Sequence, residues 1–223
     1  MGTGTKMARS FMLFIAVLCV AIFLPAGTFN YWQAWVLLAV YMGCTVAMIA
    51  YLRMTDAAAL ERRARGPLAE QSPLQRGIVI AVVICYFAVY VVAGLDHRFE
   101  WSSVPMAVVF IGDALFVAAF VLFVFVMRAN AFAATNITVE SGQPVATAGP
   151  YAIVRHPMYS GVVLVVGGIA LALGSFWALL VLVPTAPLFI VRLLDEERFL
   201  RKNLPGYAQY LQTTRWRLVP GVF

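Results

Sequence analysis

Charge is scarce in this sequence. Only 12% of its 223 residues are charged and 63% are hydrophobic, with a mean hydropathy of +0.88, whereas an ordinary soluble domain carries about 25% charged residues. A soluble globule is excluded. Each membrane crossing takes about 20 apolar residues, so the length holds at most about six crossings and one modest polar module. Large extramembrane domains are excluded as well. Cysteine is nearly absent: Cys19, Cys44 and Cys85 all fall inside apolar segments and form no CxxC or His/Cys spacing. Neither a disulfide framework nor a bound metal is expected from them. A net charge of +6 would suggest nucleic acid in a soluble chain, but here the basic residues sit between apolar runs, where they set orientation. Nucleic acid is therefore set aside as a partner, and the lipid bilayer takes its place.

What is present is a series of long apolar runs. Four of them, Ser10 to Phe29, Tyr31 to Leu52, Arg76 to Leu95 and Val104 to Met127, are each long enough to cross a hydrocarbon core of about 30 Å. They predict four transmembrane helices over residues 1–128. Lys6 and Arg9 ahead of the first run resemble a signal peptide, yet a second apolar run follows almost at once, which favours a retained helix. Tyr31, Trp32 and Trp35 sit where an aromatic belt belongs. Beyond Ser160 the pattern changes to Ser160–Leu173, then Gly174-Ser175, then Phe176–Val191 interrupted by Pro184 and Pro187. This reads as a helical hairpin of two short or kinked helices. The fold class is thus all-α integral membrane, with five to six membrane segments and a C-terminal region over residues 129–223. Alternating apolar and polar residues from Ile137 to Thr147 suggest a short β-hairpin capping the membrane module.

All of the 16 basic residues except Arg98 fall on one side of this arrangement. By the positive-inside rule both termini and the segments Arg128–Tyr159 and Arg192–Phe223 are expected to be cytoplasmic, at the inner membrane of a bacterium if the source is bacterial. Polar chemistry is expected at that face.

Two polar clusters interrupt the apolar chain, where polar residues near lipid are costly unless they serve a purpose. One runs from Gly149 through Pro150, Tyr151, Arg155, His156, Pro157 and Tyr159 to Gly161; the other is Arg192-Leu193-Leu194-Asp195-Glu196-Glu197-Arg198. Proline suits the first turn of a helix and holds the preceding residue extended, so His156 is expected at a helix start. Arg192 and Glu196, four apart, share a helix face while Glu197 points about 100° away. One acid can then pair with Arg192 and the other can face a ligand. Asp113, in the middle of the fourth apolar run, is an intramembrane acid that either serves a function or pairs with a neighbouring helix.

The combination Gly-Pro-Tyr-x-x-Val-Arg-His-Pro-x-Tyr-x-Gly at 149–161, then an apolar hairpin, Glu196-Glu197, Gly206-Tyr207-x-x-Tyr210 and a basic end closing on Pro220 resembles the isoprenylcysteine carboxyl methyltransferase family. That family is related to the membrane phospholipid methyltransferases. Asn130-Ala131-Phe132 fits its pattern too, and the resemblance covers roughly Asn130 to Pro220. It implies a membrane methyltransferase that uses S-adenosylmethionine without a soluble nucleotide-binding domain. Carried over residue by residue, Gly149, Pro150, Tyr151, His156, Tyr159 and Tyr207 line the cofactor site, and Glu196 and Glu197 bind its ammonium or ribose hydroxyls. Arg192 occupies the position that holds the acceptor, a lipophilic or lipidated molecule such as an isoprenylcysteine-type carboxylate. A carboxylate acceptor needs only an orienting cation such as Arg192, whereas an amine or thiol needs a base, for which His156 or Glu197 would serve. Two other readings stay open at this point: an NADPH-dependent membrane reductase of the sterol type, and a non-enzymatic membrane protein. Oligomeric state is also open, since Gly43, Gly112, Gly167 and Gly168 could pack helices within one chain or between two.

Overall fold

The computed structural model describes residues 3–56, 72–132, 139 and 142–223, with side chains from residue 9 onward. The helices are α1 (Thr3–Ala26), α2 (Trp32–Thr55), α3 (Pro73–Phe99), α4 (Met106–Ala129), α5 (Pro157–Ala172), α6 (Leu182–Asn203) and α7 (Tyr207–Thr213), with 3-10 turns at Gly149–Ala152 and Trp177–Val181. Five segments are long and apolar enough to cross a membrane: most of α1, then α2, α3, α4, and the Trp177–Asn203 stretch that contains α6. The protein is an all-helical integral membrane protein. Among the described residues there is no strand, only the single bridge Val154–Trp216. The hairpin expected over 137–147 is corrected accordingly: residues 142–147 are irregular, and Ile137, Thr138, Glu140 and Ser141 lie outside the described residues, as do Arg62, Arg63 and Arg65.

The C-terminal hairpin is asymmetric, with a short first arm and a longer second arm that carries Pro187 inside it. α5 has 16 residues, about 24 Å at 1.5 Å per residue, which is less than a full crossing. α6 continues past its internal Pro187 for 22 residues. α5 stops at Leu173 because Gly174 adopts φ +69°, a conformation open to glycine. The Ser175 N–H then donates to the Ala170 carbonyl and the Gly174 N–H to the Leu171 carbonyl, at 3.0 and 2.9 Å. These two bonds satisfy the carbonyls that a helix end leaves unpaired.

Lipid gives no hydrophobic drive between helices, so small residues that allow close backbone approach decide the packing. α4 lies along α5 through Gly112 and Gly168. A Cβ on Gly112 would fall 2.2 Å from the Ala172 nitrogen, and one on Gly168 would fall 2.9 Å from the Gly112 carbonyl oxygen. α1 crosses α3 at Gly94, where a Cβ would meet the Ile22 carbonyl at 2.5 Å. Gly43 and Gly167 have nothing within 4 Å of such a Cβ. The intrachain role therefore falls to Gly112 and Gly168.

Two polar layers form at opposite ends of this bundle. At one end Asp96, at the close of α3, accepts from the Ser102 N–H at 2.7 Å, from the Ser102 hydroxyl at 2.6 Å and from the Ser175 hydroxyl. Tyr31 belongs to this layer and not to an aromatic belt: it is 1% exposed and its hydroxyl donates to the Leu173 carbonyl. Trp32 and Trp35, at 41% and 51% exposure, do face outward. The other end gathers the start of α3, the start of α5, the end of α6, and α7.

Candidate active site

His156 is the residue that caps α5, with Pro157 in the first turn, as proline's fixed φ favours. Its ring is buried, and it lies against the last turns of α6. Nε2 is 3.4 Å from Glu197 Oε1 and Nδ1 is 3.9 Å from Glu196 Oε2. The two clusters, 40 residues apart in the chain, are thus one site.

The adjacent glutamates have different environments because successive helical residues point about 100° apart. Glu197 is the more enclosed. Its Oε1 pairs with Arg155 Nη1 at 3.0 Å and its Oε2 with Arg217 Nε at 3.2 Å. Arg155 also donates from Nε to the Thr214 carbonyl at 2.6 Å and from Nη2 to the Leu211 carbonyl at 3.1 Å. Glu197 is therefore the point at which the loop before α5, the end of α6 and the C-terminal tail are tied together. Glu196 is more open, with its side chain 24% exposed against 7% for Glu197. Its Oε2 accepts from the Tyr159 hydroxyl at 2.6 Å.

Arg192 is buried, 6% exposed. Its Nε donates to the Tyr159 hydroxyl at 3.0 Å, and its Nη1 donates to Gln75 Oε1 at 2.9 Å. Gln75 in turn donates from Nε2 to Asp195 Oδ2. The expected pairing of Arg192 with an acid on its own helix face takes a longer route than spacing suggests: Tyr159, from α5, stands between Arg192 and Glu196.

Gly149, Pro150 and Tyr151 build the 3-10 turn that leads toward α5. Gly149 takes φ +59° where a Cβ would approach Ala129 at the end of α4. Tyr151 anchors the neighbourhood: its carbonyl accepts from the Tyr210 hydroxyl at 2.7 Å, and its own hydroxyl accepts from Asn130 Nδ2 at 3.3 Å. Gly149 and Pro150 thus shape the approach, while His156, Tyr159, Arg192, Glu196, Glu197 and Tyr207 supply the polar groups.

Two buried polar atoms in this region make no hydrogen bond, His156 Nε2 and Tyr207 Oη. Burial, then the nearby Glu197 and Glu196 carboxylates, push the Tyr207 hydroxyl well above its ordinary pKa. It stays a neutral O–H donor. A buried donor or acceptor left unmade costs about 1–3 kcal/mol, so the Tyr207 hydroxyl is a group that a polar ligand would satisfy, whereas His156 Nε2 already faces Glu197 Oε1 at 3.4 Å.

Asp113 is not part of this site. It sits in the interior of α4, about 24 Å along the helix from Ala129 at 1.5 Å per residue, with both carboxylate oxygens buried and without a hydrogen bond. Sequence reasoning missed Gln75 and gave no site role to Asp195, named only within the second cluster, to Arg217, named only in the charge count, or to Arg155, named in the motif and the charge count. Arg155 carried a signal, since it stands beside His156 inside the conspicuous motif. Gln75 carried none: it is one polar residue at the edge of an apolar run, more than 100 positions from its partners.

Residues 107–206 match the family model described as phospholipid methyltransferase. No curated protein matches the chain. The matched segment holds α4 from its second residue, α5, α6 and Arg155, His156, Tyr159, Arg192, Asp195, Glu196 and Glu197.

Proposed function

We propose, for a chain whose residues 107–206 belong to the phospholipid methyltransferase family, that this membrane methyltransferase transfers a methyl group from S-adenosylmethionine to a lipophilic acceptor bearing a carboxylate. The reading rests most on one observation. The buried Tyr207 hydroxyl makes no hydrogen bond and is within the field of both acids, and the His156 ring turns Nδ1 toward Oε2 of Glu196 at 3.9 Å, Glu196 being the more exposed of the paired acids. This donor and acceptor set fits a ligand with an amino-acid end and a ribose. Glu196 offers a carboxylate to an ammonium or to ribose hydroxyls, and Tyr207, held neutral, offers an O–H to a carboxylate.

S-adenosylmethionine, when bound, supplies a methyl group activated on a sulfonium. The protein's residues then have to align an acceptor with that carbon and keep water away. No covalent nucleophile is needed. Arg192 supplies the orienting positive charge for an acceptor carboxylate, which is already ionised at neutral pH and requires no base. Glu197 acts by position: with Arg155 and Arg217 on its two oxygens it fixes the walls on which His156 and Tyr207 are carried. The face with the basic residues is assigned to the cytoplasm, where the cofactor is made, and the acceptor enters from the bilayer.

Radiolabelled methyl transfer tests this. Protein in nanodiscs is given labelled S-adenosylmethionine with N-acetyl-S-farnesyl-cysteine in one reaction and dioleoylphosphatidylethanolamine in another. A base-labile methyl ester on the farnesylated acid, lost in Arg192→Met, is the expected product. A base-stable N-methyl product on the phospholipid alone would overturn the carboxylate assignment, and transfer to neither would overturn the acceptor class.

A further inference from the structure

We infer that Gln75 is a positioning residue for the acceptor: it sets the plane of the Arg192 guanidinium from a helix that lies outside the matched segment. The inference rests on the reading of Arg192 given above. Gln75 stands in the first turn of α3 and is 1% exposed, a burial unusual for a primary amide. Both ends of that amide are used. Oε1 accepts from Arg192 Nη1 at 2.9 Å and Nε2 donates to Asp195 Oδ2. The orientation is dictated by chemistry, because the flipped amide would set N–H against N–H and carbonyl oxygen against carboxylate.

A guanidinium is a rigid planar fork, and its value in holding a carboxylate lies in the direction of its N–H groups. The bond from Nε to Tyr159 holds one edge of that plane. The bond from Nη1 to Gln75 holds another and so helps set the direction of the remaining N–H groups. The two restraints come from different helices, Tyr159 on α5 and Gln75 on α3, so the guanidinium is fixed against the bundle as a whole. Tyr159 hands the line on to Glu196 at 2.6 Å, which joins the acceptor side of the site to the cofactor side.

The residue type at 75 is constrained by these contacts. Glutamate would still accept from Arg192 but would turn a second carboxylate toward Asp195 and draw off the positive charge an acidic acceptor needs. Asparagine is one methylene short, about 1.5 Å. Leucine fills the volume and makes neither bond. The matched family segment therefore does not contain the whole acceptor site. α3 contributes to it.

The test uses the full chain in nanodiscs, with Gln75→Glu, Gln75→Asn and Gln75→Leu compared with wild type. S-adenosylhomocysteine affinity is measured by calorimetry, and KM and kcat are measured with N-acetyl-S-farnesyl-cysteine. The expected result is S-adenosylhomocysteine affinity within about twofold of wild type in all three and a KM for the farnesylated acid raised about tenfold or more, the scale of a lost hydrogen bond to a charged group. Unchanged KM in Gln75→Glu and Gln75→Leu would overturn the inference, as would equal losses in cofactor-product affinity and acceptor KM, which would make Gln75 a general structural support. If wild type fails to bind S-adenosylhomocysteine, the methyltransferase reading falls first. If it binds but does not methylate the farnesylated acid, the carboxylate assignment of Arg192 falls, and the role of Gln75 with it.

Discussion

Arg155 Nη1 meets Glu197 Oε1 at 3.0 Å in an ion pair whose side chains are 12% and 7% exposed. Arg155 spends its other donors on the Thr214 and Leu211 carbonyls, so one guanidinium closes three segments around one carboxylate. A buried charge left wholly uncompensated costs about 3–5 kcal/mol; without Arg155 the Glu197 carboxylate keeps Arg217 at 3.2 Å, so the expected cost is below that range. Arg155→Met is expected to lower Tm in nanodiscs by several degrees and to abolish S-adenosylhomocysteine binding. Arg155→Lys is expected to restore little, since an ammonium cannot reproduce the fork. A Tm equal to wild type in Arg155→Met would contradict the hub assignment of Glu197.

The α4–α5 crossing depends on the absence of side chains at Gly112 and Gly168. Gly112→Ala places a Cβ 2.2 Å from backbone that cannot move aside, an overpacking expected to cost about 1–3 kcal/mol. Gly43→Ala, with open space around it, serves as the control. Denaturation in mild detergent should show a loss for the first and none for the second; equal behaviour of the two would mean that α4 and α5 are not in register as described.

Alkaline stability carries a signature of Tyr210. Burial pushes its hydroxyl from 10.0 up to about 12. The folded state therefore holds the proton more tightly than the unfolded chain, so the contribution is complete below pH 10 and is lost as pH rises toward 12. Tm should fall across that window. Tyr210→Phe, which loses the bond to the Tyr151 carbonyl, should start lower and fall less steeply. A wild-type Tm that is flat from pH 10 to 12 would contradict the burial of this hydroxyl.

Asp113 tests whether a buried acid far from the site matters to the reaction. Its carboxylate oxygens have no hydrogen bond, and replacing such a group by an apolar one of similar size is neutral or stabilising. Asp113→Leu is expected to keep methyl transfer at the wild-type rate and to leave Tm unchanged or raise it. A loss of transfer with Tm preserved would instead give Asp113 a part in the reaction.

The spanning helices were readable because hydropathy reports them directly. The predicted run Arg76–Leu95 became Pro73–Phe99, and Val104–Met127 became Met106–Ala129. His156 at the start of α5 followed from Pro157 alone. Tyr31 was misplaced because an aromatic residue at a predicted interface resembles a belt residue whether it faces lipid or, as here, donates inward to Leu173. The hairpin expected near Gly142 relied on a short period-2 pattern, and its described arm, residues 142–147, is irregular. Within the site, local spacing located both acids and Arg192 but not their partners. Tyr159 reaches Arg192 across 33 residues and Gln75 reaches it across 117, contacts that depend on helix packing and leave no local trace in the sequence.

The central claim is that this end of the bundle binds an adenosyl cofactor through Glu196 and Tyr207. Calorimetric titration of the protein in nanodiscs with S-adenosylhomocysteine tests it most directly, with NADPH in a parallel cell and Glu196→Ala and Tyr207→Phe as variants. The account predicts saturable binding of the adenosyl ligand alone, weakened about tenfold or more in each variant, the scale of one hydrogen bond to a charged or buried group. Binding of NADPH in place of S-adenosylhomocysteine, or adenosyl binding that neither variant alters, would contradict it.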